Sequence, residues 1–109
     1  MLCDKSALLD VLDVLNEDLT RKIILIAAGG TAMTLLDLKS STIDIDFPIP
    51  RNDLAEFERV LKNNPPGYKV DRWPDGCVFC QTLPDDYIDR SIKIKEFSSI
   101  SLRALPQST

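Results

Sequence analysis

Ile24-Leu25-Ile26-Ala27-Ala28-Gly29-Gly30-Thr31-Ala32-Met33-Thr34-Leu35-Leu36-Asp37-Leu38-Lys39-Ser40-Ser41-Thr42-Ile43-Asp44-Ile45-Asp46-Phe47 decides the fold of this chain. Its opening is continuously apolar and rich in β-branched residues, so Lys22–Ala28 reads as a central strand covered on both faces. Gly29-Gly30-Thr31 then turns the chain, and Ala32–Leu38 reads as a short helix. Lys39 falls near the C-terminal end of that helix, where a cation suits the dipole. Ser40-Ser41-Thr42 is a polar connection. Ile43-Asp44-Ile45-Asp46-Phe47 alternates apolar and acidic residues, the period of a strand, with Ile43, Ile45 and Phe47 turned toward a core.

The flanks extend this order. Upstream, Leu8, Leu12, Leu15 and Leu19 form one helical stripe, which predicts an amphipathic helix over Ser6–Leu19 with Asp4 or Ser6 as its N-cap. Downstream, Pro48 and Pro50 end the acidic strand. Asn52 or Asp53 can cap a third helix carrying Leu54, Phe57, Val60 and Leu61, which Asn63-Asn64-Pro65-Pro66-Gly67 terminates. Tyr68–Trp73 and Cys77–Thr82 then read as a hairpin about Pro74-Asp75-Gly76. Pro84-Asp85-Asp86-Tyr87 opens a short helix or turn, and Ile92, Ile94, Ile100, Leu102 and Ala104 alternate as strands. Helices interleaved with strands argue for an α+β fold, a mixed β-sheet with helices packed against it. No repeat, linker or low-complexity tract divides residues 1–109, so a single domain is expected.

Composition removes whole classes of chemistry. The chain of 109 residues contains no histidine, which excludes Ser-His-Asp and Cys-His nucleophiles and any imidazole metal ligand. Acids outnumber bases 17 to 13, a balance that argues against a dedicated duplex-DNA binder. No apolar run approaches the ~18 residues that span a bilayer. The start lacks a basic stretch followed by an apolar one, and Cys3, Cys77 and Cys80 are few and odd in number. A cytoplasmic protein with reduced thiols and no membrane association is expected. Cys77-Val78-Phe79-Cys80 is formally a C-x-x-C, but on a strand its two sulfurs face opposite sides and cannot share a metal.

Two features could carry chemistry. At Gly29-Gly30-Thr31 the glycines permit a sharp turn and let a ligand approach the main chain, and Thr31 adds a hydroxyl that can cap a helix or touch a phosphate. On one strand, Asp44 and Asp46 would share a face, roughly 7 Å apart at Cα. Two such carboxylates repel each other unless a cation sits between them. Mg²⁺ seeks such oxygen ligands, and substrate phosphates complete its shell.

Gly-Gly-Thr followed after 12 residues, Ala32 to Ile43, by Asp-Ile-Asp resembles the signature of the nucleotidyltransferase superfamily related to DNA polymerase β. It looks especially like the small prokaryotic minimal nucleotidyltransferases and the toxin-type relatives of abortive infection systems. The resemblance implies a nucleotidyltransferase-like sheet. It implies that Gly29, Gly30 and Thr31 hold the triphosphate of an NTP, and that Asp44 and Asp46 bind Mg²⁺. It further implies transfer of a nucleoside monophosphate to a hydroxyl or amine of a nucleic-acid, protein or small-molecule acceptor. The family adds a third carboxylate on a later, neighbouring strand, often as the base for the attacking hydroxyl. It is expected in the hairpin, where Asp71, after Val70, comes closest. The alternative is the same fold without turnover, a regulatory or toxin–antitoxin binding module, with a partner protein chain.

Overall fold

A computed structural model of the chain describes residues 2–74, 77–78, 81–82 and 86–106. Asp75, Gly76, Phe79, Cys80, Pro84 and Asp85, which carry the expected hairpin turn, the second cysteine of the C-x-x-C and the proposed helix start, lie outside the described residues.

A two-residue strand β1 (Cys3–Asp4) leads into helix α1 (Lys5–Asp18), whose N-cap is Asp4: its carboxylate accepts from Ala7 N at 2.8 Å. The leucine stripe behaves as its spacing requires, and Leu8, Leu12 and Leu15 are buried. Strand β2 (Ile23–Ala27) is buried along nearly its whole length. Helix α2 (Gly29–Leu35) follows directly, then β3 (Ser41–Thr42), β4 (Ile45–Ile49) and helix α3 (Arg51–Asn63). Strands β5 (Val70–Pro74), β6 (Cys77–Val78) and β7 (Gln81–Thr82), helix α4 (Tyr87–Arg90), β8 (Ile92–Glu96) and β9 (Ile100–Ala104) complete the order.

The fold is mixed α+β. Strand β9 pairs with β2 in parallel, Leu25 against Leu102, and β8 pairs with β9 antiparallel. On the other side of β2 lies β4, joined to it where Ala28 N donates to Asp46 O at 3.1 Å. Strand β5 pairs with β4 in parallel, and β1 pairs with β3. Ile45, Phe47 and Ile49 of β4 are fully buried. The Phe47 and Phe57 rings meet edge to face at 6.0 Å, which fastens α3 to β4. Among the described residues no helix is long and apolar enough to cross a membrane.

Four expectations are corrected. First, α2 begins at Gly29 rather than Ala32 and ends at Leu35, so the glycines are its first turn and not a loop before it. Second, the acidic strand starts at Ile45; residues 43 and 44 form a bend and Ile43 is 62% exposed. Two threonine hydroxyls bond to the Asp44 carbonyl there and divert the main chain from the ladder. Third, among the described residues the ladder partner of residues 70–74 is β4 and not residues 77–78 or 81–82. Helix α3 supplies the long crossover that parallel pairing needs, while β6 and β7 pair with each other. Fourth, α3 begins at Arg51 after Pro50, without a side-chain cap. The Asp53 carboxylate turns instead to Arg21 Nη1 at 2.8 Å and Ile24 N at 3.2 Å, tying α3 to the start of β2.

A second tie lies at the far end of α1. Thr20 donates to Glu56 Oε2 from both its N–H and its hydroxyl, at 2.7 and 2.6 Å, and Arg59 Nε donates to Glu56 Oε1 at 2.8 Å. The Arg59 guanidinium first, and then Thr20, hold the Glu56 carboxyl down at about 2. A depressed carboxyl contributes stability that is present above its ordinary value of 4.5 and is lost as pH falls toward about 2. Glu56→Gln is therefore expected to lower the melting temperature at neutral pH and to lose less further stability than the parent between those two pH values. Parallel melting-temperature curves for the two proteins across that window would show that Glu56 contributes no such term.

Candidate functional site

The site is organised by one buried hydroxyl. Thr31, fully buried in the first turn of α2, donates from Oγ1 to Asp44 O at 3.2 Å and accepts from Asp46 N at 2.9 Å. Thr42 Oγ1 donates to the same Asp44 carbonyl at 2.7 Å. With Ala28 N bonded to Asp46 O at 3.1 Å, both main-chain polar groups of Asp46 are fastened to residues 28 and 31. The diglycine corner and the acidic segment therefore form one unit.

The glycines serve this closeness in two ways. Gly29 adopts φ 56°, a left-handed conformation that costs any residue with a Cβ roughly 1–2 kcal/mol. Gly30 is crowded instead. A Cβ there would lie 2.9 Å from Thr42 Oγ1, and that hydroxyl is held by its bond to Asp44 O.

The acids are arranged differently from the expected pair. Asp46 lies within β4 and is 5% exposed, whereas Asp44 lies in the bend before the strand and is exposed. Asp71 is the direct register partner of Asp46 across the parallel β4–β5 ladder, so the two project from the same face. Lys69 Nζ stands 3.9 Å from Asp71 Oδ2 and offsets part of its charge. The structure thus brings Gly29, Gly30, Thr31, Asp44 and Asp46 together and sets Asp71 beside Asp46. Thr31 is fully buried, and its hydroxyl bonds to the main chain of the acidic segment on both sides of Ile45.

Mg²⁺ fits the donor type here, since all three side chains are carboxylates. Among the described residues, no group of three or more Cys, Asp or Glu is close enough to hold a metal ion by itself. That is compatible with magnesium, which commonly uses one or two carboxylates together with substrate phosphates and water. Two residues of this corner were not singled out from the sequence, Thr42 and Lys39. Lys39 Nζ lies 3.6 Å from the position of a Gly30 Cβ. Neither carries a sequence signal, because both roles arise from the way the chain returns to Gly30.

Comparison of the chain with protein-family models, with curated proteins and with solved structures found no match.

Gly30→Ala is expected to destabilise the protein by about 1–3 kcal/mol through overpacking against Thr42. In a Thr42→Ala background the obstructing hydroxyl is gone. The same change should there be near neutral or slightly stabilising, because alanine is favoured over glycine in a helix by roughly 0.5–1 kcal/mol. Urea unfolding of the four proteins measures this coupling. Additive effects would show that Thr42 is not the obstacle.

Proposed function

We propose that the chain is a nucleotidyltransferase-fold domain that binds an NTP with Mg²⁺ and transfers a nucleoside monophosphate to a hydroxyl or amine acceptor. The observation that carries the reading is the double fastening of the Asp46 main chain to the Gly29-Gly30-Thr31 corner, with Asp71 in register beside it. A rigid corner with bare glycine main chain next to a carboxylate face is what a metal-bound polyphosphate requires: an approach to the backbone on one side and hard oxygen ligands on the other.

Asp44 and Asp46 would hold the magnesium, which when bound neutralises phosphate charge and the charge that develops on the leaving group. Gly29 and Gly30 present main chain to the phosphates, and Thr31 acts as a positioning residue that sets Asp44 and Asp46 against them. Asp71, one strand away, accepts the proton of the attacking acceptor. The acceptor oxygen or nitrogen forms its bond to the α-phosphorus. The bond from that phosphorus to the bridging oxygen breaks, and pyrophosphate departs with the electron pair. Such chemistry depends on positioning and charge neutralisation and needs no histidine.

A second reading, the same fold without turnover as a regulatory or toxin–antitoxin type binding module, is favoured by one observation. Among the described residues the acids do not form a ready-made metal cluster. Calorimetric titration with Mg²⁺ and each NTP, followed by incubation of labelled NTPs with candidate acceptors, separates the two. Binding together with label transfer is expected, and Asp46→Asn should reduce transfer by roughly a hundredfold or more. Binding without transfer to any acceptor supports the inert module. Absence of heat with every nucleotide overturns both.

A further inference from the structure

Lys39 reaches the diglycine corner by a route that its sequence position conceals. Helix α2 ends at Leu35, and a Schellman turn reverses the chain behind it: Leu38 N donates to Met33 O at 2.8 Å and Asp37 N to Thr34 O at 3.2 Å. Asp37 occupies the left-handed position at φ 62°, and Lys5 Nζ donates to its carboxylate at 3.1 Å. The reversal carries residue 39 back along the helix toward its start. Its ammonium stands 3.6 Å from where a Gly30 Cβ would be, beside Thr42 Oγ1.

Lys39 is exposed, and none of the ion pairs among the described residues uses it. The nearby acids lie on the segment that the same corner holds, and together they would repel a polyphosphate. A triphosphate brought to the Gly29-Gly30 corner therefore meets this ammonium, which stands at the rim of the corner beside Gly30. Lysine binds phosphate as a compact point charge with three rotatable donors.

We infer that Lys39 is the polyphosphate-binding cation of this site: its ammonium over Gly30 binds the terminal phosphates and selects nucleoside triphosphates over monophosphates. The inference rests on the nucleotide-binding reading above and adds to it a residue and a basis for substrate choice.

The test is calorimetric binding of the Mg²⁺ complexes of ATP, GTP, CTP and UTP, the matching monophosphates and inorganic tripolyphosphate. The proteins are the parent, Lys39→Ala, Lys39→Arg and Asp44→Asn. The parent is expected to bind tripolyphosphate and at least one NTP. Lys39→Ala should weaken both by roughly ten- to a hundredfold, the range of a charged hydrogen bond. Monophosphate binding should change less than about threefold, and Lys39→Arg should recover most of the loss. Melting temperature without ligand should be the same in Lys39→Ala and the parent, because the side chain is exposed. Triphosphate binding that depends on Asp44 but is unchanged in Lys39→Ala overturns the inference and leaves the nucleotide reading standing. Equal losses for mono- and triphosphates overturn it as well. A parent protein that binds no phosphate compound overturns the nucleotide reading itself.

Discussion

The paired hydrogen bonds of Thr31, one donated and one accepted, are the constraint on which the rest of this corner depends. One buried hydroxyl donates to Asp44 O and accepts from Asp46 N, so it fixes the main chain on both sides of Ile45. A hydroxyl can do this because it is donor and acceptor at once. Valine would match its shape and leave two main-chain groups without that partner. The contact accounts for the bend at residues 43 and 44, the late start of β4 and the closeness of the diglycine corner to Asp46. It links a local sequence choice to the geometry of a surface that could carry chemistry.

Parallel pairing supplies the other half of that surface. Asp46 and Asp71 become neighbours because α3 crosses between β4 and β5 and sets them in register. Phe57 holds α3 against Phe47, one residue beyond Asp46, while Asp53 and Glu56 tie the same helix to β2 and to the end of α1. Apolar packing on one face of β4 thus positions the carboxylates on the other. Like charges side by side are unfavourable unless they are offset, and Lys69 offers only a distant partner to Asp71.

Much of this was legible in the sequence, for identifiable reasons. The leucine stripe of α1 and the apolar run of β2 announced themselves because burial dictates their periodicity. The closeness of Gly29-Gly30 to Asp44 and Asp46 is implied by the resemblance that the two motifs carry, and the bonds from Thr31 and Ala28 hold the two segments together. The misreadings share a cause, side chains that bond to distant main chain. Nothing local says that Thr31 and Thr42 will hold the Asp44 carbonyl and end the strand early, or that Asp53 will leave its own helix for Ile24. The parallel partner of residues 70–74 was missed because pairing across a helical crossover leaves no local signal, whereas turn residues do. Lys39 was assigned to a helix end because the reversal at Asp37 uses a residue that only occasionally adopts the left-handed conformation.

The parallel register of β2 with β9 has a consequence for biosynthesis. Ile23 pairs with Ile100 and Ala27 with Ala104, so one neighbour of this very apolar strand is separated from it by most of the polypeptide. Until residues 100–104 have left the ribosome, one edge of β2 has no ladder partner, and its main-chain groups can be satisfied only by water, by a chaperone or by another nascent strand. The high contact order of that pairing slows closure of the sheet. The interval between translation of Ile23 and arrival of Ala104 is thus the window in which this protein is most exposed to misassociation, whatever its stability once complete.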